Sequence, residues 1–586
     1  MKKKVFNCLN IVSIFISIII SIIISLFCYD SFNWFSFIYL SIGLIMTSNI
    51  ILTYIKKDFK TNIIKVLFSI LFTIYSGIVY KEINIIIFGL LDISIIVYIS
   101  NIVISKNKLI GNIVSNLLYL LYNGNVCVYL FGSELVNRIM LTNLDSLNQL
   151  SGNAFKYAVG VLLVLVMSLY PIKNRNKNNK QSIILLFVTI IVSTGLIFMF
   201  KENKNYKNFS PIGDYYKLVS DSIEYQTIKN KNSNIDLDKI VFYQEDIDNY
   251  YIKDNELVDK PNIILIFTEG LSYSPIFDSR NIMPNLKNFS KNSINFINYY
   301  NHTAATFRGI IGQLYSGFQF DNYDENHLIS MQSILKKQGY YTEFINIDPN
   351  SGNWNDYLKS FNFDKIYVDK NRAFEGMAYS HSDKQAYEEL YEQANYLNQK
   401  GQPFFLSIYT MGTHVSFDSV NEKFKDGKNN VLNRLYDCDY QFGQFIDKFN
   451  NSELVDNTII VFTTDHASYV DQDYTKTFKK KRKSTFMDTV PLFIYYKGIK
   501  PRTIDVNGRT SIDFAPTILD FLDITDENYF LGTSLFGRED GSIYNRMFYE
   551  GTRFYKTENT KIIQTDRMED REIIDGIYNY FGIAKK

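Results

Sequence analysis

Hydrophobic and polar positions follow two different rhythms along the chain, and the change comes near residue 200. Before it, apolar residues run for about 20 positions at a time, the length needed to cross ~30 Å of hydrocarbon. Seven such stretches stand out: Cys8–Cys28, Trp34–Ile55, Ile63–Tyr80, Ile83–Ile104, Ile110–Phe131, Ala154–Tyr170 and Ser182–Phe200. They predict about seven membrane-spanning helices, and at least five. The fifth is the weakest, because Asn112, Asn116, Asn123 and Asn125 interrupt it. The first starts with Lys2, Lys3 and Lys4 as a signal peptide would. No small-residue cleavage site follows, so it reads as a retained anchor.

Beyond residue 200 the rhythm shortens. Lys201 to Lys260 is polar and reads as a linker with short helices. From Pro261, apolar runs of strand length alternate with amphipathic stretches of helix length. Predicted strands are Ile263–Phe267, Thr342–Ile345, Lys365–Val368, Phe404–Tyr409, Thr458–Thr463, Pro491–Tyr496 and Arg546–Tyr549. Predicted helices are Pro284–Lys291, Phe307–Ser316, Leu328–Lys337, Lys384–Leu397, Leu432–Phe449 and Phe514–Leu522. This alternation argues for an α/β domain with a mainly parallel sheet covered by helices on both faces. The expected organisation is a multi-span domain at 1–200, a linker at 201–260 and the α/β domain at 261–586.

Charge adds a direction. The loops around Lys2–Lys4, Lys56–Lys60, Lys106–Lys108 and Lys173–Lys180 are basic, and the loops between them carry few cations. The positive-inside rule puts the basic set in the cytoplasm. The N-terminus is then cytoplasmic and the α/β domain extracellular, in a multi-pass protein of the cell membrane. The Gly132–Asn153 loop reads as amphipathic, suited to lying on the outer surface and guiding a lipid. A plainer reading makes the spans only an anchor. The net charge of +1 gives no reason to expect nucleic acid as a partner. Of the four cysteines only Cys438 lies in the polar half, which excludes an internal disulfide or a cysteine zinc cluster there.

Reactive residues follow three predicted strands and start one predicted helix. Ile263–Phe267 leads to Glu269, Phe404–Tyr409 to Thr410-Met-Gly-Thr-His414, and Thr458–Thr463 to Asp465-His466. Thr306 opens the helix. Open α/β sheets bind ligands at the carboxyl ends of their strands, and helix N-termini favour anions. Glu269, Asp465, His466 and the Thr306 oxygen make a ligand set for one divalent cation, Mn²⁺ or Zn²⁺. Beside such a cation the Thr306 hydroxyl is a plausible nucleophile. His414 is left for acid–base work or for holding substrate. Taken singly each residue has a plainer reading, and Thr306 alone would be a helix cap.

These residues resemble the lipoteichoic acid synthase family, membrane-anchored phosphoglycerol transferases of the alkaline phosphatase/sulfatase superfamily. Asn262–Glu269 is similar to the family's first strand with its metal-binding glutamate, and Met283-Pro284-Asn285-Leu286 to a conserved helix start. Thr306 matches the nucleophile, Thr410–His414 the substrate-binding histidine segment, and Asp465-His466 the remaining ligands. Tyr436–Phe445 resembles the helix before the last metal strand. Asp513–Asp520 and Leu531–Phe536 resemble the superfamily's closing motifs. Ala467 stands where the family has glycine. Asn353-Trp354-Asn355-Asp356 is similar to a tryptophan-containing substrate loop, with Asp356 where an arginine is expected. Arg308, or the run Lys479-Lys-Lys-Arg-Lys483, is then the candidate substitute cation.

The resemblance implies a metal ion, Mn²⁺ first and Mg²⁺ or Zn²⁺ next. It implies a phosphatidylglycerol donor, and a cell-surface glycolipid or polymer as acceptor. Phosphoglycerol would pass through a phospho-threonine on Thr306, with His414, Trp354 and Arg308 contacting substrate. The alternatives are a phosphoethanolamine transferase, a phosphodiesterase of the same superfamily and, from another class, a non-catalytic membrane sensor.

Overall fold

The computed structural model describes residues 2–28, 32–57, 60–142, 153–173, 180–202, 209–234, 239–252, 257–376, 380–479, 482, 486–538, 541–551, 553–565 and 568–585. Residues 143–152 of the Gly132–Asn153 loop, the centre of the Lys173–Lys180 loop, and Lys480, Lys481 and Lys483 lie outside the described residues. By its internal contacts the chain divides into two compact units. One comprises Met1–Asn137, Ala154–Ser222 and Val470–Lys481. The other comprises Arg138–Asn153, Ile223–Tyr469 and Arg482–Lys586.

The first unit is helical: α1 (Lys2–Cys28), α2 (Trp34–Lys56), α3 (Lys60–Val79), α4 (Ile83–Lys106) and α5 (Lys108–Gly132) come before the short α6 (Arg138–Thr142), which is grouped with the second unit. Then follow α7 (Ala154–Leu169), α8 (Lys180–Glu202) and α9 (Gly213–Asn234), whose first part belongs here. Among the described residues six helices are long and apolar enough to cross a membrane: α1–α5 and α8. The sixth expected span, Ala154–Tyr170, is α7, which has only 16 residues. Helix α4 is the core of the bundle, with buried residues on every side of it, as expected of a helix that is hydrophobic all round.

The asparagines that weakened the fifth span turn out to tie the bundle together. Asn116 donates to Leu169 O at the end of α7 (3.1 Å) and accepts from Lys65 Nζ of α3 (2.7 Å). Asn112 Oδ1 accepts from Ile172 N, and Asn123 donates to Ser168 Oγ of α7. Asn125 donates to Pro211 O and accepts from Val136 N. In apolar surroundings an amide is tolerated only when so partnered. At the other end of α7, the Tyr157 ring meets Phe131 of α5 at 4.9 Å. Helix α7 therefore runs antiparallel to α5 along most of its length.

The second unit is built on a sheet of eight strands: β1 (Asn262–Thr268), β2 (Ile294–Ile297), β3 (Tyr341–Ile345), β4 (Lys365–Tyr367), β5 (Phe404–Thr410), β6 (Thr458–Thr464), β7 (Phe493–Tyr495) and β8 (Arg502–Asp505). Their order is β4-β3-β5-β1-β6-β7-β2-β8. Only β7 runs against its neighbours, so the sheet is mixed but mainly parallel. A separate antiparallel sheet joins β9 (Met547–Tyr549), β10 (Phe554–Glu558) and β11 (Lys561–Thr565). The expected strand Arg546–Tyr549 belongs to that small sheet.

The helices that follow α9 are α10 (Pro284–Lys291), α11 (Thr306–Tyr315), α12 (Met331–Lys337), α13 (Gly352–Lys359), α14 (Asp383–Asn398), α15 (Asn430–Asn450), α16 (Gln472–Phe478), α17 (Phe514–Phe521) and α18 (Arg571–Ala584), all in the second unit except α16, which is grouped with the first. Both faces of the sheet are covered. Phe462 of β6 pairs in register with Ile266 of β1, so it points opposite to Phe267. Phe462 packs on Phe442 of α15, whereas Phe267 packs on Phe514 of α17. Strands β1, β5 and β6 are buried at every position, as central parallel strands are.

Candidate active site

The strand order brings the reactive residues together. Strand β1 lies between β5 and β6 in parallel register, with Thr268 opposite both Thr410 and Thr464. Glu269, His414 and Asp465-His466 therefore leave the sheet from three adjacent carboxyl ends. Backbone bonds keep them level: Glu269 N donates to Thr410 O (3.0 Å) and Asp465 N to Thr268 O (3.4 Å).

Thr306 arrives from the side, as the first residue of α11. The residue before it, Ala305, has φ +140°, a conformation costly for any residue with a Cβ. The strain aims the helix start at the strand ends. Gly309, one turn later, allows the approach: a Cβ there would lie 2.1 Å from Asp465 O. Thr306 Oγ1 donates to Glu269 Oε2 at 3.2 Å.

Candidate ligand atoms of Glu269, Asp465 and His466 all lie within 4.8 Å of one another, and all three residues are buried. His466 Nδ1 bonds Ala467 O (2.9 Å), which leaves Nε2 facing the carboxylates, 3.3 Å from Asp465 Oδ2 and 3.5 Å from Glu269 Oε1. Asp465 Oδ1 accepts from Gly270 N and His466 N, while the buried Oδ2 has no hydrogen-bond partner among the described residues. An orphaned carboxylate oxygen beside an imidazole lone pair and a second carboxylate suits a divalent cation.

The electrostatics are strained in the same sense. Burial works against the charged form of Glu269, but His466 and His414 and the hydrogen bonds from Tyr409 and Thr306 hold it below the usual carboxylate range. Burial, with Glu269 nearby, pushes Asp465 up. Burial opposes protonation of His466 too, but the two carboxylates outweigh it and raise its pKa. Burial lowers His414, against the pull of Glu269. The His414 ring is fixed by Nδ1 on Val415 O (2.8 Å).

The structure places the other predicted residues as follows. Arg308 is fully buried, and its guanidinium donates to Phe320 O (3.1 Å) and Ala304 O (3.4 Å). It braces the loops on either side of α11 from within. Trp354 is 4% exposed and stands edge-on to Tyr409 (6.0 Å) and Phe307 (5.3 Å). Its contact with the cluster passes through those rings. Asp356 is exposed and pairs with Lys359 (2.8 Å). In the basic run, Arg482 bonds Asp488, Ser468 O and Ser272 Oγ, so it steadies the loop after Asp465-His466. His302, near Thr306 in sequence, has its Nδ1 on Ser511 Oγ (2.6 Å) and its Nε2 against Gly312.

Tyr409 is the residue the sequence reasoning missed. Its hydroxyl hydrogen-bonds Glu269 Oε2 and lies 3.5 Å from Thr306 Oγ1. Its position as the penultimate residue of β5, level with Phe267, was the available signal.

The sulfatase family profile matches residues 261–524. Phosphoglycerol transferase I of Xanthomonas campestris pv. campestris (strain B100) is 23% identical over 330 residues, covering 51% of this chain and 46% of that protein. The lipoteichoic acid synthase-like YvgJ of Bacillus subtilis (strain 168) is 26% identical over 293 residues, 45% of this chain and 47% of that one. The chain thus spans about half the length of the curated relatives it matches. Among solved structures, a lipoteichoic acid synthase from Listeria monocytogenes aligns with TM-score 0.42 and 17% identity, over 61% of this chain and 95% of that one.

Proposed function

For a chain whose residues 261–524 match the sulfatase family profile, we propose metal-dependent transfer of phosphoglycerol from phosphatidylglycerol to a cell-surface glycolipid or polymer. One observation carries the reading: the Thr306 hydroxyl meets Glu269 inside the Glu269–Asp465–His466 donor cluster. The named relatives, phosphoglycerol transferases and a lipoteichoic acid synthase-like protein, support the choice of group.

Glu269, Asp465 and His466 would hold the cation, with Thr306 beside them; Mn²⁺ is the proposed ion. When bound, it lowers the pKa of a coordinated hydroxyl and neutralises phosphoryl charge. Thr306 Oγ attacks the phosphorus, the Thr306 O–P bond forms, and the P–O bond to diacylglycerol breaks. The proton that Thr306 gives up, first to Glu269 Oε2, balances the one diacylglycerol takes. An acceptor hydroxyl then attacks the phosphoglycerol-threonine and Thr306 regains its proton. A lowered pKa keeps His414 neutral near pH 7, so it suits the base that receives the acceptor's proton.

The purified protein, given Mn²⁺ and headgroup-labelled phosphatidylglycerol, is expected to release diacylglycerol and to carry label. Thr306→Ala should abolish both, by at least about 10³-fold. Diacylglycerol release that survives the substitution would rule out Thr306 as nucleophile. Label taken up from phosphatidylethanolamine instead would reassign the headgroup.

A further inference from the structure

We propose that Tyr409 is a positioning residue that divides the Glu269 carboxylate, assigning one oxygen to the nucleophile and leaving the other for the metal-ligand set. The proposal rests on Thr306 being the nucleophile. It follows from counting donors and lone pairs. The Thr306 and Tyr409 hydroxyls supply one hydrogen each, and ionised Glu269 supplies none. Both hydroxyls bond Oε2, with only 3.5 Å between them. Two hydrogen bonds fill the two lone pairs of Oε2. Oε1 is left turned toward His466 Nε2, 3.5 Å away. Without the phenol, nothing among the described contacts would hold Oε2 to Thr306 except Thr306 itself.

The phenol is held in turn. Tyr409 is 5% exposed and stands at the end of a fully buried strand. Trp354 abuts its ring, and the same indole abuts Phe307, the residue after Thr306. Phe307 also packs on Tyr323 and Tyr357. One aromatic cluster therefore grips the tyrosine and the nucleophile's helix together. This gives Trp354 a role through Tyr409.

Tyr409→Phe removes one hydroxyl and keeps the ring. In the full-length protein it is expected to lower kcat roughly 10- to 100-fold, as loss of a hydrogen bond to a metal-ligating side chain does. KM for phosphatidylglycerol should stay within about twofold, because the substituted hydroxyl acts through Glu269. Mn²⁺ should still bind, but with an altered electron paramagnetic resonance spectrum, since Oε2 becomes free to join Oε1. Parent kcat with a parent spectrum would overturn the proposal. So would a kcat loss matched by lost Mn²⁺ occupancy, which marks a merely structural residue. Should the Phe variant melt well below the parent, Trp354→Phe takes its place. It keeps the phenol and loosens its seat, and is expected to lower kcat with KM unchanged; parent kcat there would equally overturn the idea. The Mn²⁺ spectrum reads Glu269 directly, so it separates failure of this proposal from failure of Thr306 as nucleophile.

Discussion

Asp383, the first residue of α14, bears a measurable cost of burial. Oδ1 accepts from Gly412 N (2.7 Å), and Oδ2 is buried without a hydrogen-bond partner. Gly412 has no Cβ to collide with that carboxyl, which would lie 2.2 Å away. The contact sets the path of the Thr410–His414 loop. Burial, with Asp437 nearby, raises the Asp383 pKa to about 7, against about 3.9 in an unfolded chain. The folded state therefore binds the proton more tightly. Its contribution to stability is full below the unfolded pKa and is lost as pH rises through about 7, at up to ~1.4 kcal/mol per pH unit. Asp383→Asn keeps the acceptor for Gly412 and cannot ionise. Relative to the parent it should gain stability between pH 4 and pH 8, read as unfolding midpoints in detergent. A constant difference across that range would mean that Asp383 stays ionised in the fold.

Among elements, the contact of α11 with the end of β6 is the tightest constraint on the site. Gly309→Ala would drive a methyl into Asp465 O, and backbone on both sides leaves little room to yield. We expect a loss of about 1–3 kcal/mol from overpacking. A shift of Thr306 by about 1 Å should also cost on the order of 10²-fold in diacylglycerol release. Parent activity in this variant would show that α11 can move without misaligning Thr306. The element pattern was largely readable. Strands β1, β5 and β6 are strongly apolar and end in Thr268, Thr410 and Thr464, within a residue of the predicted limits. Strands β2 and β8 were not foreseen. They have only four residues each, and Arg502-Thr-Ile-Asp505 is a largely exposed edge with no apolar run to betray it. Helix α18 was also missed, although Ile574, Ile577, Tyr580 and Phe581 give it a buried face.

For the whole molecule, sidedness hinges on α7. A 16-residue helix is ~24 Å long, short of the hydrocarbon thickness. Yet α7 lies along α5 from Tyr157–Phe131 to Leu169–Asn116. We therefore expect it to cross with α5, which would make the crossings odd in number and put the α/β unit outside. Asp356→Cys, on an exposed side chain, should then react with a membrane-impermeant maleimide in intact cells. With Cys8→Ser in both proteins, the parent should react little there, because Cys28, Cys127 and Cys438 are buried. Labelling only after lysis would put the domain inside.

Hydrophobic period and residue type were enough to read the apolar helices, the central parallel strands and the residues Glu269, Thr306, His414, Asp465 and His466 from the chain alone. Those features are local: a strand's burial and the polar residue that ends it are written within a few positions. The order β5-β1-β6, the inward turn of Arg308, the hydroxyl of Tyr409 on Glu269 and the grouping of Val470–Lys481 with the helical unit needed the tertiary structure. Each depends on segments more than 100 residues apart meeting in space, or on which way one buried side chain turns, and neither leaves a periodic trace in the sequence.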